Sequence, residues 1–303
     1  MELRELKTFQ KVATLLSFNR AADVLHYAQS TVSAQIKTLE NELGVPLFDR
    51  LGKQIVLTDA GERLLKYSRR LLAIHEETYA EIKGIKELRG SLTIRIPQTL
   101  ATYYLPPVLA EFQKSYPRVR FEFQGCTVLP LAQELSAGTI DLAFLLTESI
   151  SSASLQTEIL GFEELVLVAH PAHPLAGKSV TEFQDLKGQV FLYTKTDCDY
   201  SVRFQKMLAD EQIKLITSWS FNSVEAVKQC VMAGLGVTLL PAIAVRREIE
   251  SGTLAILPMS EAPLEVAIIM IWHKDKWLSP TLDAFLETIK ENFSTKTGKA
   301  SRR

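Results

Sequence analysis

Residues 18–43 constrain this chain more than any other stretch. On a helix at ~100° per residue, residues 29–43 bring Val32, Ile36, Leu39 and Leu43 within about 60° of one another, a stripe that must face a core. Ser30, Ser33, Ala34, Lys37 and Asn41 point the other way. That face is short, polar and nearly free of acids, which suits insertion into a major groove walled by phosphates. An ordinary solvated face carries charges of both signs, whereas this one offers only Lys37. Ser17-Phe18-Asn19 supplies cap candidates for a helix through Leu25. Its Ala21 and Ala22 permit the close crossing of a helix-turn-helix, with the break at His26-Tyr27-Ala28. Upstream, Phe9, Val12, Ala13 and Leu16 recur at helical spacing. Gly44 and Pro46 stop the third helix, and residues 49–57 read as two short strands around Gly52, a wing. The spacing therefore predicts a winged helix-turn-helix over residues 1–58, its motif at 18–37.

Thr58-Asp59 can cap a long helix running to about Leu88, roughly 45 Å at ~1.5 Å per residue. Leu64, Leu71, Ile74, Ile82 and Ile85 give it a sticky side. A helix of that length without a domain of its own is a linker, a dimerisation element or both. From Ser91 strands (92–96, 119–123, 142–146, 164–169, 190–193, 236–240) alternate with helices (99–114, 129–137, 200–210, 223–233). Such alternation implies βαβ units, mostly parallel sheets and, with two sets, two α/β lobes with a cleft between them.

Composition removes several function classes. The 34 Lys+Arg and 35 Asp+Glu give a net charge of −1, which hides +3 over residues 1–75 against −4 over the rest. A nucleic-acid reading therefore rests on where the charges sit. No apolar run approaches the ~20 residues of a membrane span. The start, MELRELKTFQKV, carries charge where a signal peptide needs an apolar core, so the expected location is cytoplasmic, with no membrane partner. Cys126, Cys198 and Cys230 lie too far apart for a secreted-type disulfide framework. No G-x-S-x-G, G-x-G-x-x-G or P-loop occurs, so the chain reads as no enzyme, and no cofactor is expected. His170 and His173 sit in a Pro-rich turn rather than at metal-ligand spacing, and His26, His75 and His273 give none either.

The segments Phe18-Asn19-Arg20-Ala21-Ala22-Asp23-Val24-Leu25-His26, Gln29-Ser30-Thr31-Val32-Ser33, Ile36-Lys37-Thr38-Leu39-Glu40, Gly44-Val45-Pro46-Leu47-Phe48-Asp49-Arg50 and Leu57-Thr58-Asp59-Ala60-Gly61 together resemble the LysR-type transcriptional regulators. The likeness runs unbroken through the first 61 residues. Downstream, Gly138–Ala143 and Val231–Val237 resemble the family's landmarks. The resemblance implies an α/β chain with an N-terminal winged helix-turn-helix, a linker helix at 59–88, and a two-lobed effector domain similar to periplasmic binding proteins. Lobe 1 would take residues 91–161 and 267–292, returning through the strand 266–272, and lobe 2 residues 162–266, leaving 293–303 as a disordered tail. Gln29, Ser30, Thr31, Ser33 and Lys37 would meet bases or phosphates, with Arg20 on the backbone from the second helix and Arg50 and Lys53 from the wing. Gln29 can read adenine in a bidentate way, whereas Lys and Arg contacts to phosphate position without specifying sequence. Ala34 stands where many relatives carry a longer polar side chain. Partners would be double-stranded DNA, further copies in a homodimer or homotetramer, a small-molecule effector and RNA polymerase.

Strand ends and helix starts would line the effector cleft, since helix N-termini offer free N–H groups to an anion. The candidates are Gln98, Thr99, Cys126, Thr127 and Thr147 in lobe 1, and Thr196, Cys198, Asn222 and Ser223 in lobe 2, each of which can also simply cap its helix. Arg203 is the one arginine near them. A redox sensor acting through Cys198 is a competing reading. Its flanking Asp197 and Asp199 would raise the thiol pKa, and Cys230, 32 residues on in an apolar run, reads as buried. The α/β half taken by itself would also suit an enzyme or a cytoplasmic small-molecule-binding protein.

Overall fold

A computed structural model describes residues 1–51, 54–82, 88–125, 131–147, 152–194, 199–215, 217–260 and 264–300. Helices α1 (Leu3–Leu15), α2 (Phe18–Leu25) and α3 (Gln29–Leu43) precede the antiparallel pair β1 (Phe48–Leu51) and β2 (Gln54–Leu57). Leu6, Phe9 and Val12 of α1 meet Ala21, Val32, Ile36 and Leu39 in one core. The α2–α3 turn is tight because α2 closes in the left-handed region at His26, φ 55°. His26 N–H donates to Asp23 O (3.3 Å) and Tyr27 N–H to Ala22 O (3.0 Å), which satisfies the last carbonyls without a glycine. Leu16 and Leu43, expected on core stripes, lie outside: Leu16 adopts φ 45° and is 48% exposed, and Leu43 is 39% exposed. Each sits at a helix end, beyond the last turn that faces the core.

Thr58 joins the wing to α4 (Asp59–Ile82). Its hydroxyl donates to Pro46 O (2.8 Å) and accepts from Gly61 N–H (3.0 Å), while its own N–H donates to Leu47 O (3.1 Å). Gly61 is the residue this junction requires, because a Cβ there would stand 2.2 Å from Leu47 O. Leu65, Ser68 and Leu72 form the buried side of α4, whereas Tyr67, Leu71, Ile74 and Ile82 point outward. The helix does not reach Leu88, which is not helical, and Ile85 lies outside the described residues.

The remainder comprises β3 (Gly90–Ile96), α5 (Gln98–Tyr103), α6 (Leu105–Ser115), β4 (Val119–Gly125), α7 (Leu131–Ala137), β5 (Leu142–Thr147) and β6 (Leu155–Ala169). Then follow β7 (Val190–Thr194), α8 (Asp199–Asp210), β8 (Thr217–Phe221), α9 (Val224–Met232), β9 (Thr238–Pro241), α10 (Ala242–Glu250), β10 (Ala255–Ile256), β11 (Leu264–His273) and α11 (Pro280–Ala300). A seven-stranded sheet runs β10-β6-β11-β5-β3-β4 with β9 also on β6, and β7-β8 forms a separate pair.

The sheets are mixed rather than mostly parallel. β3 pairs in parallel with β4 and β5, and β7 with β8, but β6 is antiparallel to β9, β10 and β11, and β11 to β5. β6 begins at Leu155, well before Glu164, and with β11 runs from one lobe into the other, with a register shift between Ile268 and Ile269. Its first half alternates exposure irregularly, so no clean apolar run marks it in the sequence. α11 extends to Ala300, past residue 293 where a disordered tail was expected, and Phe293 anchors it by stacking on Tyr104 at 5.4 Å.

Candidate functional site

On α3 the buried Val32, Ile36 and Leu39 hold the helix against α1 and α2, so the opposite face is presented to solvent. Gln29, Ser30, Thr31 and Lys37 are exposed there and Ser33 is half-buried. Gln29 Nε2 donates to Ser33 Oγ at 2.8 Å, which makes these two side chains one unit. Glu40 is turned away to accept from Leu47 N–H (2.8 Å), so it withdraws an acid from the face and ties α3 to the wing. Arg20 is exposed on α2, and Arg50 lies on β1 by its backbone. Lys53 lies outside the described residues. Gln29, Ser30, Thr31 and Lys37 are thus exposed on α3 with Ser33 half-buried among them, and Arg20 is exposed on the adjoining helix.

The cleft residues divide differently. Thr99 is fully buried, Gln98 half-buried and Asn222 exposed, and Thr147 ends β5 at 6% exposure. Cys126, Thr127, Thr196 and Cys198 lie outside the described residues. At α9 the expected free N–H groups are already engaged: Val224 N–H donates to Gln98 Oε1 (2.9 Å) and Ala226 N–H to Ser223 Oγ (3.4 Å). Gln98 therefore ties lobe 1 to lobe 2 through a helix start. Two more ties flank it. Tyr103 Oη accepts from Lys228 Nζ (3.4 Å) and donates to Ala244 O (3.2 Å). Tyr104 donates to Glu163, whose Oε1 accepts from Ile243 N–H at 2.9 Å. Burial raises the Glu163 carboxyl above the usual carboxylate range, against the hydrogen bonds from Tyr104 and Ile243, which lower it. Burial alone would lower the Lys228 ammonium, but Glu248 (2.6 Å) and Glu225 (3.1 Å) outweigh it and raise the group above the ordinary lysine value. Sequence reasoning missed these ties, because their partners stand between 59 and 141 positions apart in the chain.

A cavity of about 260 Å³ opens instead beside α8, and of the described cleft candidates Thr147 lines it, together with Arg203. The remaining titratable candidates find structural partners. His170 Nδ1 accepts from Ala172 N–H (3.0 Å) and His173 Nδ1 from Leu175 N–H (3.2 Å), so both imidazoles cap their own turn. Cys230 is half-buried rather than buried. One glycine in each landmark segment closes a helix in the left-handed region, whereas Gly236 is set by contact, since a Cβ there would stand 2.3 Å from Val190 O. Gly138 (φ 67°) closes α7 and Gly234 (φ 78°) closes α9, and Asp141 clamps Thr93 N–H with its Oδ2 at 2.8 Å.

A winged helix-turn-helix with an acid-poor exposed recognition surface, joined by a long helix to a two-lobed α/β domain, defines a DNA-binding regulator with a ligand-binding half. Residues 3–62 match the family described as "Bacterial regulatory helix-turn-helix protein, lysR family", and residues 86–294 match "LysR substrate binding domain". The chain belongs to the LysR family of transcriptional regulators, which are ligand-responsive and bind DNA. It is 37% identical over 295 residues to the "Uncharacterized HTH-type transcriptional regulator YwqM" of Bacillus subtilis, covering 97% of this chain and 100% of that one. Full-length OxyR C199D from Pseudomonas aeruginosa shares the fold at a TM-score of 0.71 and 22% identity, covering 97% of this chain and 94% of that one. Full-length CbnR, solved in complex with its target DNA, does so at 0.60 and 23%, covering 96% and 100%. No helix among the described residues is long and apolar enough to cross a membrane.

Proposed function

We propose that this regulator lays the N-terminal half of α3 in the major groove, with Gln29 and Ser33 reading base edges as a hydrogen-bonded unit. Ser30, Thr31 and Lys37 flank them, and Arg20, Arg50 and Lys53 neutralise phosphates. The carrying observation is the acid-poor exposed face of α3, from which Glu40 is withdrawn to Leu47.

The outward stripe Tyr67, Leu71, Ile74 and Ile82 supports α4 as the dimer seam. Two such recognition helices favour an interrupted inverted repeat. The outermost strands β4 and β8, with exposed Phe123 and Trp219, support further association of effector domains into a homotetramer.

A small molecule in the interlobe cleft then shifts the oligomer between arrangements and so changes DNA engagement and access for RNA polymerase. Gln98, Thr99, Cys126, Thr127, Thr147, Thr196, Cys198, Asn222 and Ser223 surround that cleft in this reading. The chain acts in the cytoplasm, as a regulator and not an enzyme, with no cofactor.

The test is binding of purified protein to the DNA upstream of its own gene, across a salt series with unrelated DNA as competitor. Competitor-resistant binding with a steep salt slope is expected. Lys53→Ala should reduce that slope by about one unit without changing sequence preference. Equal, weak binding to a tiled library of genomic fragments would overturn the assignment.

A further inference from the structure

The 260 Å³ cavity has a polarity that narrows what can fill it. α8 makes one wall, the strands β6, β9 and β11 make the floor, and Thr147 closes one end. At ~30 Å³ per water the space equals about nine waters, hence a metabolite of roughly as many non-hydrogen atoms. Phe204 of α8 and Leu239 of β9 are fully buried where they line the cavity, a dry subsite for an apolar group. Tyr200 and Thr147, also buried, are hydroxyl-bearing residues of the lining. Among the described lining residues, the rim carries one charge of each sign, with exposed Arg203 on α8 and exposed Glu265 on β11.

Each simple ligand class meets a mismatch in this arrangement. A pure anion drawn to Arg203 would face Glu265, and a pure cation drawn to Glu265 would face Arg203. A hydrocarbon would leave both ends of the rim without gain. A molecule bearing a carboxylate and an ammonium on one carbon, with an apolar side chain on the same carbon, matches rim and floor together. A guanidinium has five N–H donors, so Arg203 can keep a neighbour within the protein and still receive a carboxylate. The start of α9 does not compete for that carboxylate, because Gln98 and Ser223 already occupy its Val224 and Ala226 N–H groups.

We infer that this cavity takes a free amino acid with an apolar side chain, its carboxylate on Arg203, its ammonium on Glu265 and its side chain against Phe204 and Leu239. The inference rests on the reading that a small effector enters the cleft.

The experiment is calorimetric titration of the full-length protein with L-valine, L-leucine, L-methionine and L-phenylalanine. Two truncated probes accompany them, isocaproate, which lacks the ammonium of leucine, and isoamylamine, which lacks its carboxylate. At least one of the four amino acids should bind. The truncated probes should bind about ten- to a hundredfold more weakly than leucine, since each forgoes one of the two charged contacts at the rim. Glu265→Gln should bring isocaproate to within about threefold of leucine, and Arg203→Gln should weaken leucine by about tenfold or more. Isocaproate binding as tightly as leucine to the unaltered protein would overturn the amino-acid class while leaving the cavity an effector site. No heat with any of the four amino acids, in a preparation that still binds its operator, would overturn the inference and leave the regulator reading standing. Loss of operator specificity itself would instead be a failure of that reading.

Discussion

Gly61→Ala sets two physical effects against each other. Gly61 lies in the first turn of α4, where alanine would ordinarily be worth about 1 kcal/mol to a helix. Its backbone angle is not in the left-handed region, so conformation alone favours the substitution. Contact argues the other way. The added Cβ would stand 2.2 Å from Leu47 O and 2.8 Å from Leu57 Cδ2, and neither the carbonyl nor the fully buried Leu47 around it has room to yield. The substitution must push the start of α4 away from the wing, which disturbs the Thr58 hydrogen bonds to Pro46 O and Leu47 O as well. Overpacking costs about 1–3 kcal/mol, and a 2.2 Å approach to a backbone carbonyl belongs to the upper part of that range, about 2–3 kcal/mol. Less the helix gain of about 1 kcal/mol, a net destabilisation of about 1–2 kcal/mol is expected for the N-terminal domain alone. The three tryptophans, Trp219, Trp272 and Trp277, all lie in the α/β half. Urea unfolding followed by tryptophan fluorescence should therefore be unchanged, while hydrogen exchange at α1–α3 amides should accelerate by about five- to thirtyfold. Protection equal to or greater than that of the unaltered protein would refute the steric argument and leave helix propensity as the winner.

Four further outcomes are expected. Ser33→Glu should weaken operator binding by about 100-fold or more through phosphate repulsion, with far-UV circular dichroism unchanged; retained affinity in a gel-shift assay would remove Ser33 from the interface. Ile74→Asp should shift light-scattering mass downward by breaking the α4 seam, and an unchanged mass would place dimerisation elsewhere. Lys228→Met should destabilise the effector domain by about 1–3 kcal/mol in fluorescence-detected urea melts, because it leaves the half-buried Glu248 carboxylate without its cation. The double variant with Glu248→Leu should recover most of that loss. Glu163, whose folded-state carboxyl is raised by burial, contributes stability that is fully present below its unfolded pKa and is lost as pH rises through the raised value. The stability difference between the unaltered protein and Glu163→Gln should therefore move in favour of the unaltered protein as pH falls from about 8 to about 5, and a flat difference would show that Glu163 titrates normally.

The N-terminal elements were legible because their signals are local. Val32, Ile36 and Leu39 repeat at helical period within one helix, and Ser17 and Thr58 cap the helices that follow them. The sequence misleads where an element ends, as at Leu16 and Leu43, and where a strand is built for pairing rather than burial. β6 is the clearest case: Gln156, Thr157 and Ile159 are exposed, so its first half reads as loop although β11 pairs with it throughout. β8 was missed for the same reason, since four of its five residues are exposed. On the candidate site, the α3 face could be read from side-chain type and spacing alone. The cleft could not. Gln98 reads in the sequence as a cleft residue, and only the fold shows that its Oε1 also caps α9, 126 residues away in the chain. Arg203 stood out in the sequence only as the one arginine near the cleft, and Glu265 gave no signal until β11 placed it on the same rim.

The shared β6–β11 pair has a mechanical consequence. Two lobes joined by a slack hinge can swing independently, but here the connection is a hydrogen-bonded ribbon running from Leu155–His273 through to Leu165–Leu264. Paired strands carry a right-handed twist, and the register shift beside Ile268 and Ile269 bends the ribbon and increases its twist locally. A change in the angle between the lobes must therefore be taken up along this ribbon rather than at a slack joint. α4 precedes β3 in the chain, and β3 pairs only with β4 and β5 of the first lobe, so the linker leads into one lobe and not the other.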